Sequence, residues 1–410
     1  MGLWDKGLAR CAALGSGALF ISLGDPVLAA CGHSRLCEAL QGLQATYTGE
    51  VWRNTQGGIK HASRYLDNLD LTWELDSTTL WDAPGGTFFF YGLYNNAAEL
   101  SAEVLGDTQT VSNIDAPQAF RLFEAWYEQT LLGDRLSLLV GLHDLNSEFD
   151  VLDTRGLFIL SAHGIGTDFA QTGENGPSIF PVTSLAFRAH WRFTEAWSVR
   201  GAVYDGVPGD PDRPSKTVID LGKGDGALGV AELAYEGASG LVVKAGYWHY
   251  TAKFDDLTAV DTKGAPVRRK GNDGFYVEGE MPVTHEPGNP DQGLTIFVRY
   301  GRAKDNINQF QSFLGAGGVY TGLLPGRPGD QLGFAIAFAR NGAPYIRAQA
   351  RVGRPADTTE RHFEFTYHAQ LTDWLALQPD IQYIINPGTD PSVKDVLVFG
   401  LRFEISHGLF

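Results

Sequence analysis

The densest group of chemistry-bearing side chains in the sequence is His143-Asp144, with Ser147 and Glu148 just behind. A hydrolase needs a hydroxyl, an imidazole and a carboxylate converging on one point. His143 closes a run, Arg135 to His143, whose apolar residues alternate as in a strand, and neighbours on a strand point to opposite faces. Adjacency therefore argues against a working dyad. Gly222-Lys223-Gly224-Asp225-Gly226 lacks the spacing and the strand-to-helix setting of a phosphate-binding loop and reads as a turn. Asp205, Asp210 and Asp212 lie among glycines and prolines at a spacing that matches no calcium loop, and also read as solvated turns. No enzyme, cofactor or metal centre is expected. What remains is a set of charged and aromatic residues spaced by two on successive runs: Arg188, Arg192, Glu232, Lys244, Trp248, Glu278, Glu280 and Arg299. Their chemistry is weak recognition, in which mixed charges donate and accept hydrogen bonds and ring faces stack on apolar faces of a passing solute.

Strands must position them. In Leu397 to Ile405, the residues Leu397, Phe399, Leu401, Phe403 and Ile405 share one face, and Val398, Gly400, Arg402 and Glu404 share the other. A period of two means a strand. About sixteen such runs of about ten residues follow one another from Gly42 onward, each with an apolar and a polar face. A soluble sandwich would have to cover its apolar faces, and this chain offers no long amphipathic helix to do so. A ring of strands can instead turn those faces to acyl chains and keep its charges around a wet lumen. The expected fold is therefore all-β: a transmembrane antiparallel up-and-down barrel of about 16 strands, preceded by a signal peptide. If the Leu, Phe and Val rows met each other in a dry centre, that reading would fail. His163 to Pro181 breaks the alternation with four glycines and two prolines. So long a loop is expected either to fold inward and narrow the lumen, with Asp168, Gln171, Glu174 and Asn175 as its polar contacts, or to lie on the rim as an external loop.

Composition agrees. The formal charge of −16 argues against nucleic acid as a partner and against anions as preferred cargo. Gly at 50 and aromatics at 12% supply the turns and strand residues that an all-β chain needs. Residues 1–30 read as an export signal: Lys6 and Arg10 precede the apolar run Cys11 to Leu23, and small residues end it at Ala29 and Ala30. A short segment, 31–41, then leads to the barrel at 42–410. Cys31 and Cys37 remain after export, either as a local disulfide or with Cys31 lipidated behind Leu28-Ala29-Ala30.

Several ordered segments carry a family likeness: Leu138 to Phe149 (LLVGLHDLNSEF), Gly156 to Ser184, Phe187 to Pro211, Gly317 to Arg340, and Leu371 to Gly388 (LTDWLALQPDIQYIINPG). Together they resemble the carbohydrate-selective porins of the OprB family. The resemblance implies a bacterial outer-membrane barrel, a monomer or a homotrimer, that passes mono- and oligosaccharides by diffusion and makes no bonds. It implies outer-membrane lipid as the outer partner, and assembly by the barrel assembly machinery guided by a terminal aromatic. Phe410 departs from this pattern by falling out of register with Phe403 and Ile405. A reading of a different class is a non-conducting envelope-assembly barrel linked to polysaccharide export.

Overall fold

The computed structural model describes residues 40–408 apart from Ala97 and Lys223, so the export signal, Cys31, Cys37 and Phe410 lie outside the described residues. The strands are β1 (Leu43–Gly58), β2 (Ser63–Asp76), β3 (Gly86–Asn95), β4 (Ala119–Leu131), β5 (Leu136–His143), β6 (Ser184–Arg192), β7 (Trp197–Asp205) and β8 (Ala227–Glu236). They continue as β9 (Val242–Val260), β10 (Pro266–Pro282), β11 (Gly293–Ala303), β12 (Phe310–Thr321), β13 (Gln331–Asn341), β14 (Thr359–Thr372), β15 (Leu375–Ile385) and β16 (Lys394–Gly408). Each alternating run of the sequence becomes one strand, in order. All pair antiparallel with their neighbours, and β1 closes on β16 with Glu50 opposite Arg402, so no strand edge is left open. The Leu132-Gly133-Asp134 turn between β4 and β5 takes three consecutive positive φ values, of 57, 62 and 62°. Left-handed backbone of this kind closes a tight hairpin and favours Gly and Asp.

Outward rows hold the apolar residues. Val140, Phe187, Val203, Tyr247, Val298 and Phe334 are each more than half exposed, an arrangement that suits acyl chains and not water. No helix among the described residues is long and apolar enough to cross a membrane. The inward rows are polar on most strands but not on all. On β13 they are Gly333, Ala335, Ala337 and Ala339, and on β12 Gly315 and Gly317. These small residues leave room for something to pack against them.

Two connections fold into the barrel, and the first of them fills that room. Residues 144–183, between β5 and β6, fold into the barrel and carry short helical turns at Ser161–Gly164 and Thr167–Ala170. The inward fold therefore begins well before the expected His163. Residues 96–118, between β3 and β4, also turn inward, which the alternation did not foretell. Leu157, Phe158 and Leu160 of the first loop pack on Phe297, Val319, Ala335 and Ala337. A Cβ at Gly333 would come within 2.7 Å of Leu157 and 2.9 Å of Phe158, so glycine is what lets the loop sit this close. Leu100, Val104, Leu105 and Val111 of the second loop pack on Trp52, Leu66, Ile384, Val396 and Val398. The interior thus contains dry clusters, built from loop residues against inward-facing strand residues. The outward Leu, Phe and Val rows take no part in them. A loop this long must bury apolar surface to offset the entropy of being ordered.

Candidate functional site

The inward charges of β4, β6, β7 and β8 form an alternating ladder with the loop. Glu128 pairs with Arg188 at 3.0 Å, and Arg188 with Glu148 of the loop at 2.7 Å. Arg200 reaches Glu148 and Glu232, each at 3.3 Å. Glu232 accepts from the Asp150 amide at 3.1 Å and from the Tyr276 hydroxyl. Asp150 then lies between two guanidinium groups, Arg299 at 2.7 Å and Arg155 at 2.9 Å. Arg155 continues to Glu278, and Arg299 to Asp168. Signs alternate from Glu128 to Glu232 and again around Asp150, the two stretches being joined by the Asp150 amide and the Tyr276 hydroxyl, so each buried charge meets an opposite one, which is the condition under which charges tolerate a low-dielectric site.

The loop carboxylates respond differently to that setting. Burial pushes Glu148 and Asp150 up, but the guanidinium groups outweigh it: Glu148 is held at about 2, and Asp150 also lies below the ordinary carboxylate range. Burial wins at Asp168, which is raised to about 6 despite Arg299. Asp144 is raised to about 7 by burial, against the amide of Asn146 that it caps.

Most of the residues expected on the lumen wall meet the loop. Lys244 donates to the Val151 carbonyl, Glu280 accepts from the Thr154 amide at 2.9 Å, and Trp248 stacks on Phe169 with centroids 5.0 Å apart and planes 1° apart. Arg188, Glu232, Trp248, Tyr276, Glu278 and Arg299 are essentially buried, so the Trp248 and Tyr276 rings are covered by the loop instead of facing a solute. Arg192 stands apart: it is exposed at the last position of β6, outside the ladder. Its inward parity is right, but it stands at the end of β6, four residues beyond Arg188. Among the expected loop contacts, Asp168 enters the network, Gln171 donates to the Thr108 carbonyl at 2.5 Å, Asn175 donates to the Pro208 carbonyl at 2.5 Å, and Glu174 is exposed.

Residues that the sequence did not single out hold both loops. Glu364 accepts from the Ile159 and Leu160 amides at 2.6 and 3.2 Å. Glu360 accepts from the Thr108 and Gln109 amides at 3.0 Å each and from the Gly388 amide. Their inward parity was visible, but Asp150 and Arg155 lie in a loop without period and carried no signal. The hydrolase residues do come close, with Ser147 Oγ 3.4 Å from His143 Nε2. The other nitrogen of His143 meets the Tyr204 hydroxyl at 2.9 Å, where a triad would place a carboxylate, and Ser147 donates to the Asp144 carbonyl at 2.7 Å.

One side of the interior is left less covered. Glu74 of β2 is exposed, and the Phe89 and Trp126 rings stack 4.9 Å apart on β3 and β4 with part of their surface free. Beside them the outer rungs Glu128, Glu148 and Arg200 keep side-chain exposures of 14, 19 and 20%.

Residues 60–407 match the carbohydrate-selective porin family, OprB. The chain is similar to Porin B of Pseudomonas aeruginosa, at 26% identity over 91% of this chain and 88% of that protein. It is also similar to the putative porin QuiX of Acinetobacter baylyi, at 22% identity over 88% of each. The high-pH structure of Pseudomonas putida OprB superimposes with a TM-score of 0.79 at 23% identity, covering 90% of this chain and 94% of that one. A closed barrel of sixteen strands with an outward apolar belt, a charged interior narrowed by inward loops and a family match over most of its length establish the chain as a member of the carbohydrate-selective OprB porins, a bacterial outer-membrane channel for sugars.

Proposed function

We propose that sugars diffuse along the less covered side of the lumen, between the β2–β4 wall and the edge of loop 144–183. The observation that carries this reading is the uneven exposure along the ladder: Glu128, Glu148 and Arg200 stay partly open, whereas Arg188 and Glu232 between and beyond them are 1% exposed. Arg200 can donate to sugar hydroxyls, Glu128 and Glu148 can accept from them, and the Phe89 and Trp126 rings offer flat surfaces to the apolar faces of a pyranose. Arg188, Glu232, Lys244, Trp248, Glu278, Glu280 and Arg299 act one step back, by holding the loop that sets the width. Contacts of this kind are weak, which passage requires. Alternating signs favour neutral solutes over ions of either sign, and the protein acts as a channel without chemical turnover. Lipid covers the apolar belt. Assembly by the barrel machinery and a homotrimer that shares part of this belt complete the reading.

Liposome swelling with a series of neutral sugars tests it. Glu128→Gln and Arg200→Gln are expected to shift the ranking of sugars about two- to fivefold, on the scale of one hydrogen bond to a charged group. An unchanged ranking in both variants would remove these residues from the sugar path. Swelling that does not occur with any sugar would instead favour the envelope-assembly barrel.

A further inference from the structure

Three ligand-type side chains meet beside loop 96–118, at a place the charge ladder does not reach. Asp107 comes from the loop, and Glu360 and His362 are inward neighbours on β14. All three side chains are fully buried. His362 Nε2 lies 3.1 Å from Glu360 Oε1 and 4.0 Å from Asp107 Oδ2, and one ligand atom of each residue falls within 4.8 Å of the others. A tetrahedral zinc site with bonds of about 2.0–2.2 Å separates its ligand atoms by roughly 3.4 Å, inside this spread.

The polar accounting is incomplete at this spot. Ser101 offers a hydroxyl on the Asp107 side, yet no hydrogen bond of normal geometry reaches either Asp107 oxygen, and His362 Nδ1 is also without a partner. No lysine or arginine pairs with Asp107 or Glu360 among the described residues, so two buried carboxylates face a single imidazole. Elsewhere in this barrel the buried loop carboxylate Asp150 meets two guanidinium groups. A buried site with excess negative charge and orphaned acceptors calls for a cation. One imidazole nitrogen with two carboxylates suits a borderline first-row ion, and is too few oxygens for calcium. Glu360 is already oriented by the amides of Thr108, Gln109 and Gly388, the outer hydrogen bonding that ligating carboxylates commonly show.

We propose that Asp107, Glu360 and His362 form a site for a divalent cation of the zinc class, which staples loop 96–118 to β14. The site joins residues far apart in the chain and is independent of the route sugars take.

Full-length untagged protein in detergent, stripped by a chelator, exposed to Zn²⁺ and desalted, should retain about one ion per chain and melt at a higher temperature than the stripped form. Asp107→Asn and His362→Gln should each lower retention at least tenfold, while heat-modifiable gel migration reports a closed barrel. X-ray absorption of the zinc-loaded wild type should show nitrogen and oxygen neighbours only, which keeps the test decisive if a variant misfolds. Absence of retained zinc, undiminished retention in both folded variants, or sulfur ligation by Cys31 and Cys37 would each overturn the proposal.

Discussion

Loops 144–183 and 96–118 enter the same barrel and are held there by different chemistry. The first is fixed by charge pairs from the wall: Arg188 and Arg200 grip Glu148, and Arg299 grips Asp150 and Asp168. The second is fixed by Glu360 capping loop amides and by an apolar cluster around Trp52, Val104 and Val398. The two also touch each other, the Asn113 amide donating to the Ile159 carbonyl at 2.9 Å and the Ser161 amide to the Thr110 carbonyl at 3.0 Å. Charge pairs give the first loop its position, whereas a capping carboxylate and apolar burial give the second its own. Under the proposed route for sugars, its width depends most on the first loop, which borders it.

The contrast breaks most directly at Arg299. Arg299→Ala leaves Asp150 and Asp168 buried with less compensation, and should cost about 3–5 kcal/mol of stability while loosening loop 144–183. Denaturant unfolding in detergent measures the cost, and higher single-channel conductance would report the loosened loop. Gly333→Val puts a side chain into Leu157 and Phe158, with an expected cost of about 1–3 kcal/mol and the same direction in conductance. Glu360→Gln keeps the shape but weakens the caps of the other loop by about 1–2 kcal/mol. Hydrogen exchange should then rise in residues 96–118 and not in 144–183.

Acid sharpens the contrast. Asp168, raised to about 6, binds its proton more readily folded than unfolded, so its contribution to stability grows as pH falls through 6. Glu148, held at about 2, contributes stability above the unfolded glutamate pKa, which is lost as pH falls from there toward 2. Conductance is expected to hold steady between pH 7 and about 4 and to change only as pH approaches 2, where folded Glu148 takes up its proton and releases Arg188 and Arg200. A transition centred near pH 6 would assign the hold to Asp168 instead. The smallest effect is expected at Arg192, exposed at the strand end: Arg192→Ala should stay within about 0.5 kcal/mol and leave the sugar ranking unchanged.

Much of this architecture is legible in the alternation of the chain. Leu397 to Ile405 alternates because its outward face meets apolar surroundings while its inward face carries Arg402 and Glu404, and the same contrast marks most strands. The inward parity of Arg188, Glu232, Glu278 and Arg299 follows from that periodicity alone. What these residues touch does not. Glu148, Asp150 and Arg155 lie in a segment without period, and their pairing with β6, β7, β10 and β11 arises only when the loop packs on the glycines and alanines of β12 and β13. Trp248 shows the same limit: parity put it inside, and the loop's Phe169 then covered it.

The amino-acid sequence by itself determined the barrel, a count of about sixteen strands and the side of the wall on which strand charges such as Arg188, Glu232, Glu278 and Arg299 stand, because period-two alternation is a local property of the chain. Tertiary structure alone decided which inward charges stay partly open and which hold a loop, because that depends on how two long aperiodic connections fold back onto the wall. It is also what brought Asp107 to Glu360 and His362, residues whose spacing along the chain carries no trace of their meeting.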